Sequence, residues 1–290
     1  GRDQLKAPGT APVSQMNRIK GKTIPAVLGL GRKLTHPGDT ALDEDPRFQE
    51  GIRFILSTLR DSPVPVTIVA VGSVRDVTAA YNREPELFRA KVGKVFAFIG
   101  EASHPTFQEY NVALDPHAYI GLMRSGLPLY WIPCFDGGEW QNRGHASFWK
   151  AKHEDLLKAA PPEMIQFFIC MLEKETSDPL AFISSPVDPK RKKTLLGEVR
   201  NLWCTAIFRA ISGQTVAFDG TRARFVPMKD GKGQSAGLFD FAEVDITVSD
   251  KGVVRVEKGG DSRRVMLFKV CDASQYAAGM TAATADLLSQ

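Results

Sequence analysis

The chain lacks most of the features that would place it in a specialised class at once. Its 4 cysteines in 290 residues (Cys134, Cys170, Cys204 and Cys271) are far apart. No CxxC occurs and no Cys/His pair has zinc-ligand spacing, so the ordinary reading is four small buried hydrophobes. No uninterrupted apolar run reaches membrane length, and no signal peptide stands at Gly1. Charge of one sign is not in large excess, with 37 Lys and Arg against 33 Asp and Glu. The one basic cluster, PKRKK at 189–193, reads as a solvated loop, because a nucleic-acid surface carries more cations on one face with interleaved aromatics. Internal repeats and low-complexity tracts are absent. What remains is ordinary globular composition, 43% apolar and 24% charged, on a chain long enough to bury a sizeable core.

The patterning alternates strands with helices. Residues 1–22 read as a loop with one helical turn, followed by the short apolar run TIPAVLGL. Phe48, Ile52, Ile55, Leu56 and Leu59 fall at helical spacing, closed by Pro63. VTIVAVG (66–72), KVFAFIG (94–100) and LPLYWIP (127–133) are almost wholly apolar, as strands covered on both faces of a parallel sheet must be. Helical patterns lie between them, with a break near Pro85. From about Leu238 the period changes to two: AEVDITVSDKGVVRVEKG reads as a hairpin turning at Asp250–Gly252, then a strand at 266–270 and a last helix. The expected fold is therefore α/β, a mostly parallel sheet with helices on both faces and a C-terminal β-hairpin appendage. It is read as one domain over 1–290, with its core at about 23–185 and the hairpin and last helix at about 238–290.

In such sheets ligands sit beyond the carboxyl ends of the strands. Gly72–Ser73, Gly100–Glu101 and Cys134–Asp136 are those ends, and Glu109 and Asn111 follow one of them. Read as alternating on an extended segment, this carboxylate and amide point the same way and can hold sugar hydroxyls or a developing cation. A solvated loop is the plain alternative. VAVGSVRDV can cradle an anion, although any strand-to-helix turn wants its glycine. Asp76 reads as a helix cap. Asp115-Pro116 and Asp178-Pro179 share the form of a capped helix start, and form alone does not separate them. His145, among Trp140, Phe148 and Trp149, is a candidate proton donor. The segment from Trp131 to Trp149 can stack on an aromatic base or pack as a lid.

The order of these motifs carries more than any one of them. VTIVAVG with SVRDV, then EPELF, KVFAFIG, EYNVALDP, SGLPLYWIPCFD and SDPLA resembles the inosine-uridine-preferring nucleoside hydrolase family from about Thr23 to Ile183, with a looser match near FKVCDASQYAAGM. The resemblance implies hydrolysis of the N-glycosidic bond of ribonucleosides in purine or pyrimidine salvage. It implies passage through an oxocarbenium-like transition state, with Ca2+ positioning the attacking water. Glu109 and Asn111 match the family's ribose-contacting pair. Val71 matches the position giving a backbone carbonyl to calcium, and Asp178 matches a calcium-binding aspartate; Asp115 matches only a helix cap. His145 and Trp149 are left as candidates for leaving-group activation and base contact.

The pattern also departs from the family's. Ser177 stands where the family has the histidine that helps the base leave, and Ser103 lies near the position of an expected asparagine. The family's DxDxxxDD-type cluster, which supplies the general base and most calcium carboxylates, has no counterpart; DQLK at Asp3 and DTALDED at 39–45 do not follow a strand. The expectation is that the natural start lies upstream of Gly1. The other reading is a catalytically impaired relative that binds a nucleoside, a sugar or another protein through the same cleft. As partners the resemblance implies a small-molecule nucleoside and a homo-oligomer, with no nucleic acid and no membrane. A cytoplasmic location is favoured, and export is expected only if a signal peptide lies upstream.

Overall fold

In the computed structural model, which describes residues 9–228 and 237–290, the first feature is a helix, α1 (Thr10–Lys20). The expected single turn is thus a full helix, ended by Gly21 in the left-handed conformation. Asp3 and the rest of 1–8 lie outside the described residues. TIPAVLGL forms no regular element. Next come α2 (Glu50–Asp61), β1 (Val66–Ala70), α3 (Arg75–Arg83), α4 (Pro85–Lys91) and β2 (Val92–Phe98). α5 (Tyr110–Leu114), α6 (Pro116–Arg124) and β3 (Leu129–Ile132) follow. The middle of the chain holds β4 (Trp149–Lys152), α7 (His153–Leu157), α8 (Pro162–Leu172), α9 (Pro179–Ser184), α10 (Pro189–Leu196) and β5 (Val199–Leu202). A 3-10 helix (Thr205–Ser212) leads to β6 (Gln214–Phe218) and β7 (Ala223–Pro227). β8 (Phe239–Val248), β9 (Val254–Val256), β10 (Arg263–Val270) and α11 (Ala273–Leu288) end the chain.

The fold is α/β. A six-stranded sheet runs β1-β2-β3-β10-β8-β9, with β1, β2, β3 and β10 parallel and β8 and β9 antiparallel. The C-terminal hairpin is present and turns at Gly252 (φ +77°), a conformation glycine adopts freely. It does not stand apart. β10 pairs with β3 (Met266 opposite Tyr130, Leu267 opposite Trp131) and, along its whole length, with β8 from Phe239 to Ile246, so the hairpin extends the main sheet.

The apolar strands read as covered on both faces are so. Val95 and Ala97 enter one core with Leu56, Phe88, Tyr119 and Trp131, while Phe96 and Phe98 enter the other with Ile132, Phe239, Phe268 and Met280. Successive side chains of a strand face opposite ways, so two cores require apolar residues at every position.

Four helix starts share one device. Asp45, Asp115, Asp178 and Asp188 each precede a proline, and each carboxylate accepts a backbone N–H of the first turn. At Asp188 this device makes PKRKK the start of α10 rather than a loop. Asp76 does not cap α3 but lies in its first turn, where its carboxylate accepts the Leu30 N–H at 2.8 Å. No helix among the described residues is long and apolar enough to cross a membrane.

Candidate active site

The carboxyl ends of β1, β2 and β3 open into a cleft of about 680 Å³. Val71 enters it from the end of β1, Phe98 from β2, and Cys134 and Phe135 from just past β3. Glu109 and Asn111 lie at its wall.

Their local geometry differs from an extended segment. Glu109 is the N-cap of α5 and Asn111 lies in that helix's first turn, so the two side chains meet through the cap. Oε1 of Glu109 accepts both the Asn111 N–H and its Nδ2–H, each at 2.9 Å, and Oε2 accepts the Gly100 N–H at 3.0 Å. Gly100 sits at φ +93°, and a Cβ there would lie 2.6 Å from the Tyr119 hydroxyl, so glycine is required for this approach. Glu109 is only 3% exposed, and burial pushes its carboxyl above the usual range against the opposing pull of the Asn111 and Gly100 N–H groups. Because Asn111 spends its Nδ2 on Glu109, its Oδ1 is the atom left to accept from a ligand hydroxyl.

Much of the remaining lining is aromatic. Phe107, Phe135, Trp140 and Trp203 line the cleft, with Phe135 5.4 Å from Trp140 and 6.0 Å from Trp203 between ring centroids. Trp140 is 43% exposed and held at φ +62°, a strained position for a bulky residue. The buried Trp203 Nε1 has no hydrogen-bond partner among the described residues. Glu139 adds an exposed carboxylate at the rim. Burial, and then the Glu109 charge, push the Cys134 thiol well up, and burial takes Cys204 up to about 12. Both are neutral thiols at neutral pH, so neither is an activated nucleophile.

The residues expected at the site divide. Glu109, Asn111 and Val71 share the cleft. Asp178 does not line it; exposed at the head of α9, it accepts the Ala181 N–H at 2.6 Å. Trp149 is 3% exposed on β4, its ring 6.1 Å from Tyr276 inside the second core. Trp131 is fully buried and donates Nε1–H to the Ile99 carbonyl at 2.8 Å. His145 faces a different hollow. Trp140, within the Trp131–Trp149 segment expected to stack on a base, lines the cleft, as do Glu139 and Trp203, of which no role is expected from sequence. For Trp203 no local signal exists, since it reaches the wall from beyond β5.

Among the described residues the fit to calcium fails. Calcium takes six to eight oxygen ligands. Here both Glu109 oxygens already accept N–H groups, and among the described residues no group of three or more His, Cys, Asp or Glu could hold a metal. The Val71 carbonyl and Asn111 Oδ1 do not make up such a cage.

No family model matches the chain. A pyrimidine-specific ribonucleoside hydrolase of Citrobacter koseri is 34% identical over 86 residues, 29% of this chain and 28% of that protein. Its counterpart in Salmonella arizonae is 32% identical over 87 residues, again 29% and 28%. The chain resembles nucleoside hydrolases. The matched stretch spans little more than a quarter of each of these nucleoside hydrolases. Among solved structures, an inosine-uridine preferring nucleoside hydrolase of Bacillus anthracis aligns with 95% of this chain and 85% of its own, at 10% identity and a TM-score of 0.48. A purine-preferring ribonucleoside hydrolase of Gardnerella vaginalis aligns with 85% and 69%, at 17% identity and a TM-score of 0.42.

Proposed function

We propose that the cleft belongs to a hydrolase that cleaves the N-glycosidic bond of ribonucleosides or related N-glycosides. The observation that carries the reading is the hydrogen-bonded Glu109–Asn111 pair in an aromatic-lined cleft beyond the carboxyl ends of parallel strands. The sugar lies against Glu109 and Asn111, with Asn111 Oδ1 accepting one of its hydroxyls. The base lies against Trp140, Trp203 and Phe135. As the C1′–N bond lengthens, positive charge grows on the ribose ring, and a nearby carboxylate stabilises that state more than the neutral ground state. Glu109 must be ionised to act so, and burial opposes its ionisation. The rate therefore falls on acidification at a pH above the ordinary glutamate range.

The test is reducing-sugar release from inosine, uridine and cytidine. Glu109→Gln is expected to lower kcat/KM by about 100-fold or more and Asn111→Ala by about tenfold. Release unchanged by either substitution would sink the assignment. One observation favours a second reading, a module that binds a nucleoside without turning it over: among the described residues no imidazole lines the cleft, and both thiols there are neutral. That reading predicts saturable quenching of Trp140 and Trp203 fluorescence by nucleosides with no sugar released.

A further inference from the structure

A second hollow, of about 430 Å³, lies between the loops after β2 and β3 and the hairpin β8–β9. Its chemistry centres on Asp136, which is 1% exposed. One carboxylate oxygen accepts the Ser103 hydroxyl at 2.6 Å; the other accepts the His145 backbone N–H at 3.0 Å and faces His145 Nδ1 at 3.3 Å. Burial alone would raise this carboxyl, yet the His145 and Ser103 hydrogen bonds outweigh it and hold Asp136 below the usual range, ionised at neutral pH. A carboxylate only accepts, so Nδ1 of His145 carries a proton, and in the neutral imidazole Nε2 is the acceptor.

A second imidazole in the same hollow has the opposite tautomer. His104 Nδ1 accepts the Thr106 and Phe107 N–H groups at 3.2 and 2.8 Å, which leaves its Nε2 as a donor when neutral. Arg255, paired through its backbone with Thr247 of β8, lines the hollow from β9; among the described residues its guanidinium has no ion pair or hydrogen bond, and Asp136 is the only carboxylate lining the hollow. The remaining wall is apolar, with valines of the hairpin and Leu267. The hollow thus presents a lone pair, an N–H donor and an unpaired guanidinium.

We propose that this hollow binds a small hydroxyl-bearing oxyanion, a phosphate monoester or a hydroxy acid. Its anionic group pairs with Arg255 and His104, and its hydroxyl donates to His145 Nε2. A guanidinium gives charge-assisted hydrogen bonds to phosphate and carboxylate alike. The Asp136–His145 pair selects for the hydroxyl, because a ring nitrogen with a fixed lone pair has no partner in a ligand that lacks a donor.

The test uses the whole chain, labelled with nitrogen-15, and follows the ring nitrogens of His145, assigned by comparison with His145→Gln. The probes are glycerol 3-phosphate, glycerate, inorganic phosphate and glycerol at millimolar concentration. The expected result is a saturable shift of His145 Nε2 with glycerol 3-phosphate or glycerate, and none with glycerol. Whichever of the two saturates first identifies the anionic group. Arg255→Ala should weaken that binding at least tenfold, while Glu109→Gln leaves it unchanged, since the two hollows share neither residue. No saturable shift with either hydroxyl-bearing probe, or a shift untouched by Arg255→Ala, overturns the proposal. An equal shift with inorganic phosphate also overturns it and means an adventitious ion only.

Discussion

Glu109 and Asp136 are both buried carboxylates, and the surroundings push them in opposite directions. For Glu109 the folded value lies above the unfolded one of about 4.3. Its contribution to stability is therefore complete below that value and is lost as pH rises through the folded value. Glu109→Gln should flatten this part of the plot of urea-unfolding free energy against pH, alongside its slower sugar release. For Asp136 the folded value lies below the unfolded one, so its contribution is present above about pH 4 and is lost on acidification. Asp136→Asn should cost about 2 kcal/mol at pH 7 in urea unfolding and almost nothing below the folded value. A constant penalty across pH would contradict the ionised, hydrogen-bonded role. A carboxylate and an amide two positions apart ahead of an apolar run drew notice to Glu109 and Asn111 as a pair, but the extended reading missed the helix cap that brings them together. Trp203 was not legible, because its place is fixed by the packing of distant segments. Trp149 misled for a related reason: strand β4 alternates buried and exposed residues, and that alternation turns its ring into the core.

At the scale of the element, the Asp-Pro starts explain why a repeated dipeptide carries little functional information by itself. Asp115 accepts the Ala118 N–H at 3.1 Å, the Leu34 N–H at 2.9 Å and Arg75 Nε at 2.7 Å, all inside the core. Asp115→Ala leaves the Arg75 guanidinium buried without its counter-charge and should destabilise the fold by about 3–5 kcal/mol, read as a fall in urea midpoint. The same change at exposed Asp178 removes a surface cap and should cost about 1 kcal/mol. Strands β1, β2 and β3 were readable because two-sided burial demands continuous apolar runs. The pairing of β10 with β3 was not, since register between Tyr130 and Met266, 136 residues apart, leaves no local trace. In α6, Gly121 lies against the Pro37 carbonyl, where a Cβ would sit 2.5 Å away. Gly121→Ala should cost about 1–3 kcal/mol by forcing that backbone apart.

For the whole molecule, the hairpin is a structural member of the sheet. β10 fills the place between β3 and β8, and its Leu267 and Phe268 enter opposite cores. Removing residues 239–290 should therefore abolish cooperative unfolding, whereas an independent appendage would leave the transition of the remainder intact; calorimetry distinguishes the two. The change to a two-residue period near Leu238 announced a hairpin, but composition alone does not reveal what a strand pairs with.

The carboxylate of Glu101 bears on motion at this scale. It accepts the N–H groups of Ser103 and His104 on one loop and of Gly137 and Gly138 on the next. Those four amide protons are fastened to a single side chain, so they are released in one opening event or not at all. Their solvent exchange should proceed in step, and Glu101→Gln should speed all four together while amides in β2 and β3 keep their rates.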